Sequence, residues 1–220
     1  MALSKFNFNS FDVTSVASTG LGFNASANGF STINPGAMTL IKTLTASSSS
    51  TVSFVHGSSD VVLDSTYPVY LFKFINLHHS ADGGQISFQG NAAGGSGYNE
   101  TLTTTTFEVY HKEDDSATSL SYTSGNDLAQ STSFQMLFPD MSNDNDGGSS
   151  GELWLFNPSS TTYVKHFMFR GAMHHRADYA FDLYCAGYFN TTSAIDEIQF
   201  KPNTGTIDAG TFKLYGIKDS

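Results

Sequence analysis

The chain has 220 residues, in which 10 lysines and arginines stand against 20 aspartates and glutamates, so its formal net charge is -10. This negative balance disfavours a phosphate-backbone partner, and we expect no nucleic-acid binding. A content of 19 phenylalanines, 10 tyrosines and 20 glycines, with only 14% charged residues, is typical of short strands and tight turns. The composition therefore predicts an all-β protein.

Residues 1–36 mix small polar residues with isolated aromatic ones and show no sustained period of 2 or 3.6. We interpret them as an extended N-terminal arm that lies against the body or against a neighbouring subunit. Asn34-Pro35-Gly36 is a turn signal, which leaves residues 37–220 as the folded domain. The N-terminus lacks the apolar region of a secretory signal, and no apolar run is long enough to span a bilayer. We expect synthesis in the cytoplasm and no membrane partner.

From residue 37 onward, strand-like segments follow one another at the spacing of a two-sheet protein. The predicted strands cover residues 38–46, 51–56, 68–78, 85–89, 100–111, 133–138, 178–190, 194–201 and 210–217, with a hairpin inside 151–170. No segment longer than a turn or two carries a helical apolar stripe. We predict an antiparallel two-sheet sandwich of the jelly-roll type.

Two predicted strands are apolar on both faces: the strand at 68–78 and the first strand of the hairpin inside 151–170. In 68–78, Val69, Leu71, Ile75 and Leu77 share one face and the aromatic residues share the other. Since no helix is predicted to cover a second face, we expect part of this surface to lie at a subunit contact or beneath the arm. The predicted interface residues are Phe6, Phe8, Phe11, Tyr70, Phe72, Phe74, Trp154, Phe167 and Phe169.

The loop at 140–152 is the one candidate metal site. Asp144 and Asp146 precede Gly147, which resembles the spacing of oxygen ligands in a calcium loop. The match is imperfect, because Glu152 falls one residue too early, and a solvated hairpin loop is the alternative. The pairs His78-His79 and His174-His175 supply at most one ligand each, since neighbours on a strand point to opposite faces. We expect no other cofactor.

Nothing in the sequence favours catalysis. Glu108 and Glu152 lie in or beside apolar strands, but a glutamate on a strand commonly faces solvent. No nucleophile elbow, phosphate-binding glycine loop or His-Glu-x-x-His motif is present. The single Cys185 lies in an apolar strand and reads as a small buried hydrophobic residue. We expect a protein that is not an enzyme.

Five segments together carry a family resemblance: 67–78, 86–91, 151–160, 187–200 and 210–218. Segment 67–78 reads Tyr-Pro-Val-Tyr-Leu-Phe-Lys-Phe-Ile-Asn-Leu-His, and segment 151–160 reads Gly-Glu-Leu-Trp-Leu-Phe-Asn-Pro-Ser-Ser. They resemble a β-rich virion-protein family of tailed bacteriophages, over residues 37–218. In that family such domains are capsid decoration (cement) proteins or parts of tail fibres. The resemblance implies a non-enzymatic, homotrimeric jelly-roll assembly module.

The expected function follows from that resemblance. A cement protein on the virion surface would bind the major capsid protein, with the arm of residues 1–36 laid across the shell. The absence of coiled-coil heptads and of a collagen-like shaft favours the capsid role. The alternative is a tail-fibre or receptor-binding module that recognises a glycan on the host surface.

Overall fold

The computed structural model describes residues 20–23, 30–33 and 37–218. No residue in these ranges lies in a helix, so the prediction of an all-β protein is confirmed, and the ranges hold no helix that could cross a membrane. The strands are β1 Gly20–Phe23, β2 Phe30–Ile33, β3 Met38–Thr45, β4 Val52–Val55, β5 Val69–His79, β6 Gly84–Ala92, β7 Leu102–Lys112, β8 Thr118–Tyr122, β9 Gln135–Met141, β10 Ser149–Phe156, β11 Lys165–His175, β12 Tyr179–Phe189, β13 Ile195–Pro202 and β14 Ile207–Ile217.

The described part of the predicted arm is a short hairpin. Strands β1 and β2 pair antiparallel from Gly20↔Ile33 to Phe23↔Phe30, in a sheet separate from the other strands. The predicted interface residues Phe6, Phe8 and Phe11 lie outside the described residues.

The other twelve strands form one antiparallel sheet that folds over on itself. Its eight-strand part runs in the order β3-β14-β5-β10-β11-β12-β7-β8, and its four-strand part in the order β9-β6-β13-β4. The two parts are joined by the pairing of β11 with β9, which consists of His175↔Met141 alone. Because this link is so narrow, the two parts can turn their apolar faces toward each other.

Phenylalanine rings fill the space between the two parts. Phe72 meets Phe54 edge-on at 5.3 Å between ring centroids, and Phe88 meets Phe167 at 4.9 Å. Phe74 makes the same kind of contact with Phe200 at 5.1 Å. Edge-to-face geometry is favourable for aromatic pairs. Each fully buried ring also contributes about 1.5–3 kcal/mol to the free energy of folding, because it is removed from water. This core holds the eight-strand part in place against the four-strand part.

The core corrects most of the predicted subunit contact. Tyr70, Phe72, Phe74, Phe167 and Phe169 are each at most 3% exposed and belong to the chain's own core. The prediction is wrong for these five side chains, because other parts of the same chain already bury them.

A β-bulge on β5 corrects a second prediction. The pairing of β5 with β10 shifts between Gly151↔Phe74 and Ser149↔Leu77, so β5 carries one extra residue there. Asn76 has a φ of 51°, and its N–H donates to Ser150 Oγ at 3.0 Å. Leu77 therefore lies in the core rather than on the face of Ile75, since an extra residue reverses the alternation that follows it.

The predicted hairpin inside 151–170 is confirmed as β10 and β11, with Leu153↔Phe169 in register. Strand β8 was not predicted. It has five residues, and only Leu120 and Tyr122 are large and apolar, so its alternation is too short to stand out in the sequence. It pairs with β7 and ends the eight-strand part.

Candidate interaction surface

The outer face is the side of the eight-strand part that points away from the core. On β11, Phe167 and Phe169 point inward, and the intervening Met168 and Arg170 point outward. The cross-strand register extends this division, because Met168 lies opposite Trp154 on β10. Side chains directly opposite in an antiparallel sheet share a face.

Most of the exposed apolar side chains lie on the outer face. Nine large hydrophobic residues are exposed in the described part of the chain, and eight of them project from this face. The eight are Met38, Leu40, Ile75, Phe107, Val109, Leu120, Tyr122 and Met168. The ninth, Tyr163, lies in the 157–164 loop between β10 and β11. Phe107, Val109, Leu120 and Tyr122 are direct neighbours on β7 and β8, and a contiguous exposed apolar patch of this kind marks an interaction site.

A band of paired charges crosses the middle of the outer face. Lys73 Nζ lies 3.6 Å from Glu152 Oε2. Arg170 donates two hydrogen bonds to Asp182, from Nε at 3.1 Å and from Nη2 at 2.9 Å. The hydrogen bonds from Arg170 hold the pKa of Asp182 below its usual range. The band is therefore locally balanced, although the chain as a whole is acidic.

Two aromatic side chains are hydrogen-bonded to carboxylates of this band. Trp154 Nε1 donates to Glu152 Oε1 at 3.1 Å, and the Tyr184 hydroxyl donates to Asp182 Oδ2 at 2.8 Å. The Tyr184 ring also stacks on Phe107, with centroids 4.4 Å apart and planes inclined by 7°. These contacts fix the orientation of the rings and present flat apolar surface beside polar groups.

Two shallow depressions, together called the groove, lie along the charged band and have Asp182 in common. One, of about 670 Å³, is bounded by Ile75, Glu152 and Arg170. The other, of about 540 Å³, lies beside Leu120. The small side chains of Ala172 and Ala180 lie between the larger ones, which is why a depression forms there.

The predicted calcium loop is held by its own hydrogen bonds. The Ser142 hydroxyl donates to Asp144 Oδ2 at 2.7 Å, and the Gly147 N–H donates to the Asp144 carbonyl at 2.8 Å. Asp144 and Asp146 are both exposed. Across the residues that the structure describes, no three metal-ligating side chains come together. Calcium binding stays a prediction that this geometry does not support.

The two histidines of each adjacent pair lie in different surroundings. His78 is partly exposed and bridges two elements, with Nδ1 2.8 Å from Asp208 Oδ1 and Nε2 2.9 Å from the Asp144 carbonyl. His79 is fully buried beside it. In the second pair, His174 faces Glu113 at 3.7 Å while the His175 ring stacks on Phe181.

The carboxylates considered for catalysis do not meet. Glu108 lies on the inner side of β7, where burial raises its pKa, and Glu152 lies on the outer face of β10. Two carboxylates on opposite sides of a sheet cannot act on one substrate. Cys185 is buried, as the sequence predicted, and burial raises the pKa of its thiol to about 12.

Comparison of the chain with family models, curated proteins and solved structures gave no match. The outer face is therefore the main guide to function. Of the residues on the outer face, the sequence predicted only Trp154 to lie at an interface. Met168 and Phe107 were not predicted. The alternation in 165–175 was the available signal, since polar or flexible residues alternate there with phenylalanines.

Proposed function

We propose that the protein is a non-enzymatic structural protein of a virion, a capsid decoration (cement) protein that docks on the major capsid protein. The observation that carries the proposal is the outer face, which gathers eight of the nine exposed large hydrophobic side chains of the described chain. A face of this kind, with its charges already paired among themselves, suits contact with another protein surface. The resemblance of residues 37–218 to phage virion proteins supplies the class of partner.

We infer further that the fold is a two-sheet jelly roll. The strand orders β3-β14-β5-β10 and β4-β13-β6-β9 support this inference. Along the chain, β3, β5, β10 and β14 alternate with β4, β6, β9 and β13, so the chain crosses between the two parts at nearly every step. Jelly rolls recur in viral capsid and lectin domains, and the hairpins β7-β8 and β11-β12 would be additions that widen one sheet.

In this proposal the outer face makes the main contact with the shell, and the protein sits on the virion surface. The resemblance also implies an anchoring arm and three copies. Five of the aromatic residues that were expected at the trimer contact lie in the core and cannot contact another protein. We therefore assign the docking contact to exposed side chains such as Met168 and Ile75.

The test is co-sedimentation with particles that lack the protein. Met168→Lys places a charge in the apolar outer face and should reduce binding at least tenfold. Tyr163→Lys is the matched control, because Tyr163 is 70% exposed but lies in a loop away from that face, and it should bind as the unmodified protein does. Equal binding of all three proteins, or no binding of the unmodified protein, would contradict the proposal.

A second candidate function is glycan recognition by a tail module. The observation that favours it is the pair of aromatic–carboxylate contacts, Trp154 with Glu152 and Tyr184 with Asp182, beside a groove. Flat rings next to hydrogen-bonding groups are suited to the apolar and hydroxyl faces of a sugar. Binding to an array of bacterial surface glycans that Trp154→Ala abolishes and Tyr163→Ala preserves would support this candidate over the first.

A further inference from the structure

Strand β8 ends the eight-strand part with an unpaired edge. Within the described residues it pairs with β7 and with no other strand. Such an edge exposes a row of backbone N–H and C=O groups that can bind another strand.

The hydrogen-bond ladder shows which groups these are. Lys112 N–H donates to the Ala117 carbonyl and Thr123 N–H donates to the Thr106 carbonyl. The pairing between β7 and β8 has no register shift, so the bonded positions alternate between these two ends. Ser119 and Ser121 therefore bond to β7. The N–H and C=O groups of Thr118, Leu120 and Tyr122 point to the open edge.

This edge carries no lysine, no proline and no β-bulge, which are three common means of keeping edge strands apart. Residues 116–123, Ser-Ala-Thr-Ser-Leu-Ser-Tyr-Thr, contain no charged residue and no proline. The opposite edge of the eight-strand part, β3, carries Lys42 and an irregularity in its pairing with β14. Lysine and bulges are common means of blocking edge-to-edge association, and β8 has neither.

We propose that β8 pairs antiparallel with β8 of a second copy, about a two-fold axis at Leu120. In this register Leu120 lies opposite its own copy, and Thr118 lies opposite Tyr122 of the second chain. The N–H and C=O groups of the three edge residues in each copy then satisfy one another in six hydrogen bonds. The strand is self-complementary because Leu120 is its central residue.

The side chains support the same partner. Leu120 is 71% exposed and lies beside Val109, and the two-fold pairing places it against the second Leu120. Phe107 and Tyr122 flank this contact on the same face. The pairing brings the apolar clusters of the two copies side by side on the same face, and the two outer faces become one surface of sixteen strands.

Proline substitution tests the backbone pairing. Leu120→Pro removes the outward N–H, but the bonds of β8 to β7 are made by its neighbours and remain. Light scattering after gel filtration, at about 50 μM protein and in about 0.15 M salt to screen the acidic chains, should give twice the chain mass for the unmodified protein. Leu120→Pro should give one chain mass with an unchanged circular dichroism spectrum, and Leu120→Val should stay dimeric.

Cysteine cross-linking tests the register. Hydrogen-bonded antiparallel partners have Cα atoms about 5.5 Å apart, a spacing that a disulfide can bridge. Leu120→Cys should therefore form a disulfide-linked dimer under mild oxidation, while Met168→Cys, which is also exposed on the outer face, should not. The native Cys185 is buried and does not interfere. A mass of one or three chains for the unmodified protein, or equal cross-linking at both positions, would overturn the proposal.

This inference does not depend on the proposed function, and its dimer replaces the three copies that the family resemblance implies. A dimer that forms without binding particles would leave the edge pairing standing and remove the capsid role. A monomer that binds particles through the outer face would support the capsid role and rule out the edge pairing.

Discussion

Arg170 donates two hydrogen bonds to Asp182, and its guanidinium carbon lies 5.1 Å from the centre of the Tyr184 ring. The three side chains come from β11 and β12 and project from the outer face. A bidentate pair that also stacks on an aromatic ring fixes the carboxylate in one orientation. The surface offered to a partner at this point is therefore defined before contact.

Removing the Arg170 guanidinium should release the carboxylate. In Arg170→Met the pKa of Asp182 should rise, as measured by carbon NMR titration, because its main hydrogen-bond donor is gone. The folded-state pKa is depressed, so the pair stabilises the fold above the unfolded pKa of about 4 and loses this effect as pH falls through the folded value. Lys73→Met, which removes a charge from the same face, should leave the titration of Asp182 unchanged. An unchanged titration in Arg170→Met would refute the assignment.

Phe74 should be among the most costly core residues to truncate. Its ring contacts Phe138, Phe169, Phe200 and Phe212, all within 6.3 Å between centroids, so it joins both parts of the sheet. Phe74→Ala should lower the free energy of unfolding by about 3–5 kcal/mol in urea titration. Phe107→Ala, at a half-exposed ring of the outer face, should cost about 1 kcal/mol or less. Similar losses for both variants would show that the core is misplaced.

The sequence predicted the all-β class and most strands, because alternating and doubly apolar runs are local signals. It could not predict which apolar face is covered by the chain itself. Phe74 and Trp154 look alike in sequence, and only the long-range packing of the four-strand part buries Phe74 fully, while Trp154 stays partly exposed. The bulge at Asn76 was also hidden, since one extra residue leaves no mark in composition but reverses the direction of Leu77.

The buried Lys165 should hold two loops together. Its side chain is fully buried, and Nζ donates to the carbonyls of Tyr163 at 2.8 Å and Thr191 at 3.1 Å. Burial lowers the pKa of this amine. Lys165→Met should reduce the free energy of unfolding by about 1–3 kcal/mol, because both carbonyls lose their donor. Lys213→Met, on the outer face of β14, is the control and should change stability little. Equal stability of both variants would contradict this role.

His78 should make the fold more stable at mildly acidic pH. Burial alone would lower its pKa, but the hydrogen bonds with Asp208 and with the Asp144 carbonyl outweigh burial and raise it. Its stabilising effect is thus fully present below the unfolded pKa of about 6.5 and is lost as pH rises through the folded value. The difference in melting temperature between the unmodified protein and His78→Gln should shrink from pH 6 to pH 8.

The matched control for His78 is His166→Gln, at an exposed position on β11. Its melting temperature should follow that of the unmodified protein across the same pH range. A gap for His78→Gln that stays constant or widens with pH would show that protonation of His78 does not stabilise the fold.

The docking of the outer face on a virus shell, as we propose it, can be tested by cryo-electron microscopy of purified particles in which the copies of this chain are counted. Many copies should lie on the outside of the capsid, each with Met168 and Ile75 turned toward the major capsid protein. Particles without the chain, or copies whose outer face points to solvent, would contradict it.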